Sequence, residues 1–157
     1  MMIFTEIIID AASSAVRQAF LNFATLPTYH TSFFQSIHLR NHDDGPAKPG
    51  DPLICTVHNI PFPTIVEVNT ASVFSWREYI IWNWVFDGLH SFQFEPLDTD
   101  GTKTRFVQWE ELGGLLGGAL WLFGRRKLVA GFNNFNGDLK RHIEKGQNSG
   151  QDVYFAQ

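Results

Sequence analysis

Cysteine is nearly absent from this chain, with Cys55 standing alone among 157 residues. No internal disulfide can form, so the fold does not lean on an oxidising compartment, and Cys55 reads as a small buried residue in a strand. Positive charge is also in short supply. The 12 basic residues are outnumbered by 16 acidic ones, giving a net charge of -4, which argues against general affinity for nucleic-acid backbones. Long apolar runs are missing as well. The longest, near Leu115, is broken by Gly113, Gly114, Gly117 and Gly118 and is too short to span a bilayer. Residues 1–10 carry Glu6 and Asp10 and lack a basic leader, so they do not read as a secretory signal. The expectation is a cytoplasmic protein without stable membrane insertion.

Several chemical signatures are equally absent. There is no Gly-rich phosphate loop, no Cys–His nucleophile pattern and no paired-carboxylate signature, and Ser91 has no nucleophile-elbow context. No cofactor is therefore expected. His38, His42, Asp43 and Asp44 lie close in sequence, but loop spacing without a second anchoring pair argues against a metal site.

Aromatic residues, in contrast, abound: the chain has 15 Phe and 5 Trp. Each such ring buries roughly 150–250 Å², more volume than core filling alone asks of so short a chain, so some rings are expected to line a cavity. The length suits one domain with a substantial core. Residues 1–146 are assigned to it and residues 147–157 to a polar tail. Basic residues cluster only at Arg125, Arg126 and Lys127, beside the apolar run 115–123. That triplet reads as a solvated helix face, or as a contact for a membrane surface or a ligand carboxylate.

Periodicity supplies the order of elements. Residues 4–9 are Ile-rich and suit a buried strand, and Asp10 or Ser13 can cap a helix from about Ser14 with Val16, Ala19, Phe20 and Phe23 at helical spacing. Pro27 ends or kinks it, and residues 28–34 look like a second short helix or turn. Strands are then expected over 37–40, 52–58, 64–71, 74–84, 89–97 and 103–112, punctuated by a loop at 41–51 and turns at 59–63 and 98–101. After the glycine-rich stretch 113–118, Leu128, Phe132, Phe135, Leu139 and Ile143 recur at intervals of four, three, four and four, drawing one apolar stripe down a helix that ends near Lys145. This is an α+β chain whose last helix must bury its stripe, and the concave face of a curved antiparallel sheet is the available partner.

The stretch Phe86-Asp87-Gly88-Leu89-His90-Ser91-Phe92, the following Phe94-Glu95-Pro96-Leu97, the segment Thr104-Arg105-Phe106-Val107-Gln108 with Glu110, and Gly131-Phe132 in the last helix resemble the SRPBCC superfamily. This superfamily includes START-like domains, birch-pollen-allergen-like proteins and the polyketide cyclase/dehydrase group. The resemblance implies a helix-grip fold: about seven strands curved around a long C-terminal helix, two short helices after the first strand, and a deep apolar cavity between sheet and helix. It also implies a hydrophobic small-molecule ligand or substrate, with a homodimer left open. Fold alone does not fix chemistry, because this architecture hosts carriers and enzymes alike.

Side-chain alternation locates a candidate site. From His90 the apolar face of one strand reads His90, Phe92, Phe94, with Ser91, Gln93 and Glu95 between. If the 98–101 turn sets Pro96 opposite Thr104, then Phe94 faces Phe106, Phe92 faces Gln108 and His90 faces Glu110, all on one side of the sheet. Opposed Cβ atoms lie roughly 4.5–5.5 Å apart, so an imidazole–carboxylate bond between His90 and Glu110 is expected, with Gln108 nearby. A carboxylate raises the imidazole pKa and burial lowers it, which would poise His90 near neutrality as an acid or base. Two plainer readings stand beside it: a structural His satisfied by one carboxylate, or a rim Glu110 paired with Arg77 or Arg105. On the middle strand the face of Trp76, Glu78, Ile80, Trp82 and Trp84 competes with that of Ser75, Arg77, Tyr79, Ile81 and Asn83. Trp76, Trp82 and Trp84 are favoured for the cavity side, and a bulge near Tyr79 would swap part of the strand. Tyr79 is a candidate donor to a substrate carbonyl, while Tyr29 and Phe33 suit the cavity mouth. His30 reads as a surface residue. Phe92, Phe94, Phe106, Phe132 and Phe135 complete the expected ligand-binding wall.

These residues lead to a cofactor-independent cyclase, dehydratase or isomerase acting on a polyketide- or terpenoid-like substrate, with His90 as acid or base, Glu110 as its orienter and Gln108 as donor. The alternative is a carrier or sensor of a hydrophobic ligand, and a third is a protein-interaction domain, which needs exposed aromatics.

Overall fold

Alternating burial along each strand builds the sheet of this protein, whose computed structural model describes residues 1–40, 45–80 and 84–151, with Tyr79, Ile80 and 147–151 described by backbone alone. Seven strands, β1 (Met2–Ile9), β2 (Phe34–Leu39), β3 (Pro52–Val57), β4 (Ile60–Asn69), β5 (Val73–Ile80), β6 (Phe86–Pro96) and β7 (Thr104–Gly113), form one sheet in the order β1-β7-β6-β5-β4-β3-β2. All pairs are antiparallel. Register shifts between Phe34 and Ser36 and between Val66 and Val68 mark irregularities of the kind that sharpen strand twist and curl a sheet. The β6–β7 register is the one deduced from turn length: Phe94 opposes Phe106, Phe92 opposes Gln108 and His90 opposes Glu110.

Between β1 and β2 lie α1 (Ser13–Leu21), a 3-10 turn (Phe23–Thr25) and α2 (Leu26–Tyr29). The second short helix was expected over 28–34. It ends instead at Tyr29, because Phe34 already belongs to β2 and His30 is extended with its backbone N–H closing on Leu26. The His58–Asn59 pair, both at positive φ, makes the tight two-residue turn between β3 and β4. The strand expected over 74–84 is β5, which ends at Ile80, and residues 81–83 lie outside the described residues.

The glycine-rich stretch expected ahead of the last helix, 113–118, is where β7 ends at Gly113 and the helical segment begins at Gly114. α3 (Gly114–Ala119) runs through one wide π turn (Leu120–Gly124) into α4 (Arg125–Gln151). Leaving β7 this abruptly needs φ +75° at Gly114, where a Cβ would sit 2.7 Å from the Val85 carbonyl oxygen. The sheet grips α4 as expected: Phe132, Phe135, Leu139 and Ile143 are buried and Leu128 packs partly against the core. The architecture is α+β, a helix-grip. The proposed boundary at residue 146 falls within α4, and residues 152–157 of the proposed tail lie outside the described residues.

Replacing Gly114 by Ala forces both an unfavourable φ and a backbone collision. The expected cost is about 2 kcal/mol, a fall in Tm of roughly 6 °C for a chain of this size, read by calorimetry. An unchanged Tm contradicts the role given to this glycine.

Candidate functional site

The interior is solid at one end and hollow at the other. In the solid half, Phe20 of α1 inserts against the sheet with ring centroids 4.4 Å from Phe92, 5.6 Å from Phe94, 5.8 Å from Phe74 and 6.2 Å from Phe135. Phe106 closes this cluster at 5.6 Å from Phe94. Rings packed at these separations and tilts leave no room for a guest. Phe92, Phe94, Phe106 and Phe135, expected as ligand-binding wall, are therefore core residues here. Trp76 is fully buried at the boundary, touching Phe92 and His90, and does not line the cavity.

Toward the start of β6 the space opens into a cavity of about 390 Å³. Its walls are apolar: Phe33 and Phe34 from the entry to β2, Val57 and Phe62 from the β3–β4 hairpin, Phe86 from β6. Leu116, Ala119, Leu120, Leu128 and Phe132 of the helical segment form the opposite side. Of the expected wall, Phe33 and Phe132 are present. Tyr29 instead stacks on His142 at 4.4 Å away from the cavity, and Trp84 is 63% exposed. Trp82 and the Tyr79 side chain lie outside the described residues, as do His42, Asp43 and Asp44.

Three polar groups face this cavity: His90, Glu110 and Glu78. The expected His90–Glu110 hydrogen bond is not what forms. The His90 ring is caged by Phe92, Phe132, Trp76 and Phe34, with centroids 4.8 to 5.5 Å away, and its Nε2 lies 2.8 Å from the Gln108 amide nitrogen. An amide nitrogen only donates, so Nε2 accepts and the ring proton sits on Nδ1. Burial without a bonded carboxylate pushes the His90 pKa down to about 3, far from the neutral poise expected from the sequence. His90 is thus an uncharged imidazole throughout the physiological range. The side-chain amide oxygen Oε1 of Gln108 is buried without a partner among the described residues.

The acid–base groups are the two carboxyls. Burial raises Glu78 to about 7 against a hydrogen bond of 3.0 Å from the Trp76 indole N–H that works the other way. Burial likewise pushes Glu110 well above the carboxylate range, and the nearby Glu78 charge pushes it further. Burial raises the Cys55 thiol as well, and the charges of Glu78 and Glu110 push it further. The sheet explains the meeting. Glu78 opposes Gly88 on β6, while His90, the next inward residue on that strand, opposes Glu110 on β7. Gly88 carries no side chain between the acids, and a Cβ there would come 3.1 Å from the Phe86 ring and 3.5 Å from a Glu110 oxygen. No paired-carboxylate signature was expected from the sequence. The signal was nonetheless available, since Glu78 shares the inward parity of Trp76. Neither Arg77 nor Arg105 competes for Glu110: Arg77 binds Glu67 and Asp87, and Arg105 binds Glu6 and Glu95.

A second histidine also departs from expectation. His30 is 2% exposed rather than on the surface, donating from Nδ1 to Asp138 at 2.7 Å and accepting the Phe33 N–H at Nε2. This clasp ties the start of β2 to α4 and holds Phe33, one wall of the cavity, in place.

The raised Glu78 pKa fixes a sign. Between 4.5 and about 7 the folded chain keeps a proton that the unfolded chain has released, so this group's contribution is full below 4.5 and is lost as pH rises through 7. Glu78→Gln is expected to raise Tm near pH 8 by about 3 °C, the equivalent of roughly 1 kcal/mol here, with little change near pH 4. Thermal melts across pH check this, and parallel profiles for both proteins contradict it.

No family model matches the chain, and no curated protein does. Solved structures do resemble it. An aromatase/cyclase from a Streptomyces species matches with TM-score 0.68 at 10% identity, covering 92% of this chain and 94% of that one. A START superfamily protein from Mycobacterium smegmatis gives 0.67 at 12%, covering 92% and 97%. Norcoclaurine synthase from Thalictrum flavum, solved with dopamine and hydroxybenzaldehyde, gives 0.65 at 8%, covering 92% and 87%. At these identities the likeness is one of fold, and with the gripped helix, the curled sheet and the apolar cavity it establishes that this chain shares the helix-grip fold of these proteins.

Proposed function

We propose that the cavity takes a flat, hydrophobic, uncharged molecule bearing a carbonyl, and catalyses a cofactor-independent cyclisation, dehydration or isomerisation on it, as on a polyketide- or terpenoid-like substrate. The observation that supports this most is the pairing of two carboxyls, Glu78 and Glu110, raised by burial in an otherwise apolar cavity. Near neutrality a pair of this kind shares a proton, since two adjacent charges cannot both be desolvated. One member then donates to a carbonyl oxygen while the other removes a proton from carbon, which is what enolisation requires.

The remaining residues supply orientation. His90 is a neutral donor from Nδ1, fixed by Gln108, and adds a hydrogen bond without adding charge. Of the lining side chains none is Lys or Arg, so an anionic ligand would meet carboxyls with no counter-charge and is disfavoured. A cavity of about 390 Å³ suits a ligand of two or three rings. Holding such a chain folded against the Phe33, Phe86 and Phe132 walls brings the reacting carbons together, an effect that stands independently of the proton transfers.

A panel of neutral aromatic ketones and oligoketides, incubated with the protein and followed by mass spectrometry and NMR, tests the reading. One is expected to cyclise, isomerise or lose water. Glu110→Gln is expected to lower that turnover by about 10²–10⁴-fold while retaining the ligand, and the pH profile of kcat/KM should bend near the Glu78 value of about 7. A compound bound tightly and returned unchanged contradicts the catalytic reading and identifies a carrier.

A further inference from the structure

The same helical segment that walls the cavity presents an apolar surface on its other side. Leu115 is 73% exposed, Leu122 65% and Phe123 82%. Leu122 and Phe123 follow Leu115 along this segment, within the π turn, and Arg126 comes after them, all four exposed. Trp84, also largely exposed, adjoins this segment through the hydrogen bond from the Leu115 N–H to its carbonyl. Exposed Leu, Phe and Trp side chains gathered in one place are unusual on a protein surface and mark a contact site.

What covers the patch is indicated by charge. Arg125, Arg126 and Lys127 follow it directly, are all exposed, and are the chain's one basic cluster in a protein of net charge -4. Arg125 and Arg126 line a surface recess together with Trp121, Leu122 and Phe123, and the Arg125 guanidinium lies 5.6 Å from the centre of the Trp121 ring. Bulky apolar side chains with an indole and three cations at their margin match the layering of a bilayer interface: acyl region, headgroup edge, phosphate. None of the helices among the described residues is long and apolar enough to cross a membrane, so the contact is peripheral.

The geometry points to an anionic lipid surface as the partner of residues 115–127, with Leu122 and Phe123 entering the acyl boundary and Arg125, Arg126 and Lys127 on the phosphates. Leu116 and Leu120, which line the cavity, belong to the docked segment, so docking sets the cavity wall against the lipid. The inference rests on surface residues alone and does not depend on whether the cavity catalyses anything.

Flotation with phosphatidylcholine vesicles, with and without phosphatidylserine, tests it. The protein is expected to float with the anionic vesicles only. Arg126→Ala and Lys127→Ala should each lower partition about fivefold. Phe123→Ser should lower it at least tenfold, as loss of a large buried side chain does. Because these side chains are exposed, circular dichroism should be unchanged. Raised salt should weaken wild-type binding. Three results overturn the inference: no flotation, equal flotation with both vesicle types, or concentration-dependent self-association abolished by Phe123→Ser without flotation. Retention of a neutral ligand by the cavity, measured separately, keeps failure here distinct from failure of the catalytic reading.

Discussion

Keeping two carboxyls in an apolar hollow is the constraint on which the rest of this structure turns. An isolated buried carboxylate costs several kcal/mol or more, and Glu78 and Glu110 receive little to offset it. One indole N–H reaches Glu78, and among the described residues no Lys or Arg lines their cavity. The chain tolerates them by letting them hold protons that ordinary carboxyls release. Such groups are a stability liability, and liabilities of this kind cluster at sites that bind or react. Everything nearby accommodates them: Gly88 leaves the gap, Trp76 holds one acid, and His90 is kept neutral and turned toward Gln108.

The division of the interior into a packed and an open half follows from one helix. Phe20 of α1 reaches the sheet and locks the rings of Phe74, Phe92, Phe94, Phe106 and Phe135. Beyond Phe92 α1 gives no such plug. There the space is bounded by Phe33, held by the His30–Asp138 clasp, and by the helical segment that begins at Gly114. The packed half stabilises the fold so that the open half need not be filled, and this is how a small domain maintains a void that costs packing energy. The segment walling the void also exposes Leu122 and Phe123, so cavity and surface patch are two faces of one element.

Much of this was legible in the sequence, for identifiable reasons. The β6–β7 register followed from a turn of known length and a period of two, and both survive because a strand must keep one face buried. The stripe on α4 was readable because Leu128 to Ile143 repeats at helical spacing without interruption. What failed were statements about partners. The sequence placed His90 opposite Glu110 correctly, but opposition across two strands does not select a hydrogen bond. The diagonal neighbour Gln108 was nearer to Nε2, and burial then set the imidazole pKa low. Glu78 was missed because it lies on a third strand, where only knowledge of two successive registers brings it to Glu110. The glycines of 113–118 read as a stretch ahead of the last helix because propensity disfavours them inside one, yet the close approach of Val85 to Gly114 and of Leu112 to Gly117 requires small residues at those two positions.

The apolar cavity makes its two carboxyls keep their protons to a higher pH than ordinary glutamates do. Carbon-13 NMR of the glutamate side-chain carboxyls across pH measures it directly. Glu78 is expected to titrate near 7 and Glu110 well above the ordinary range, the two assigned by Gln substitution of each. Both carboxyls ionising near 4.5, the ordinary value for a solvated glutamate, would contradict it.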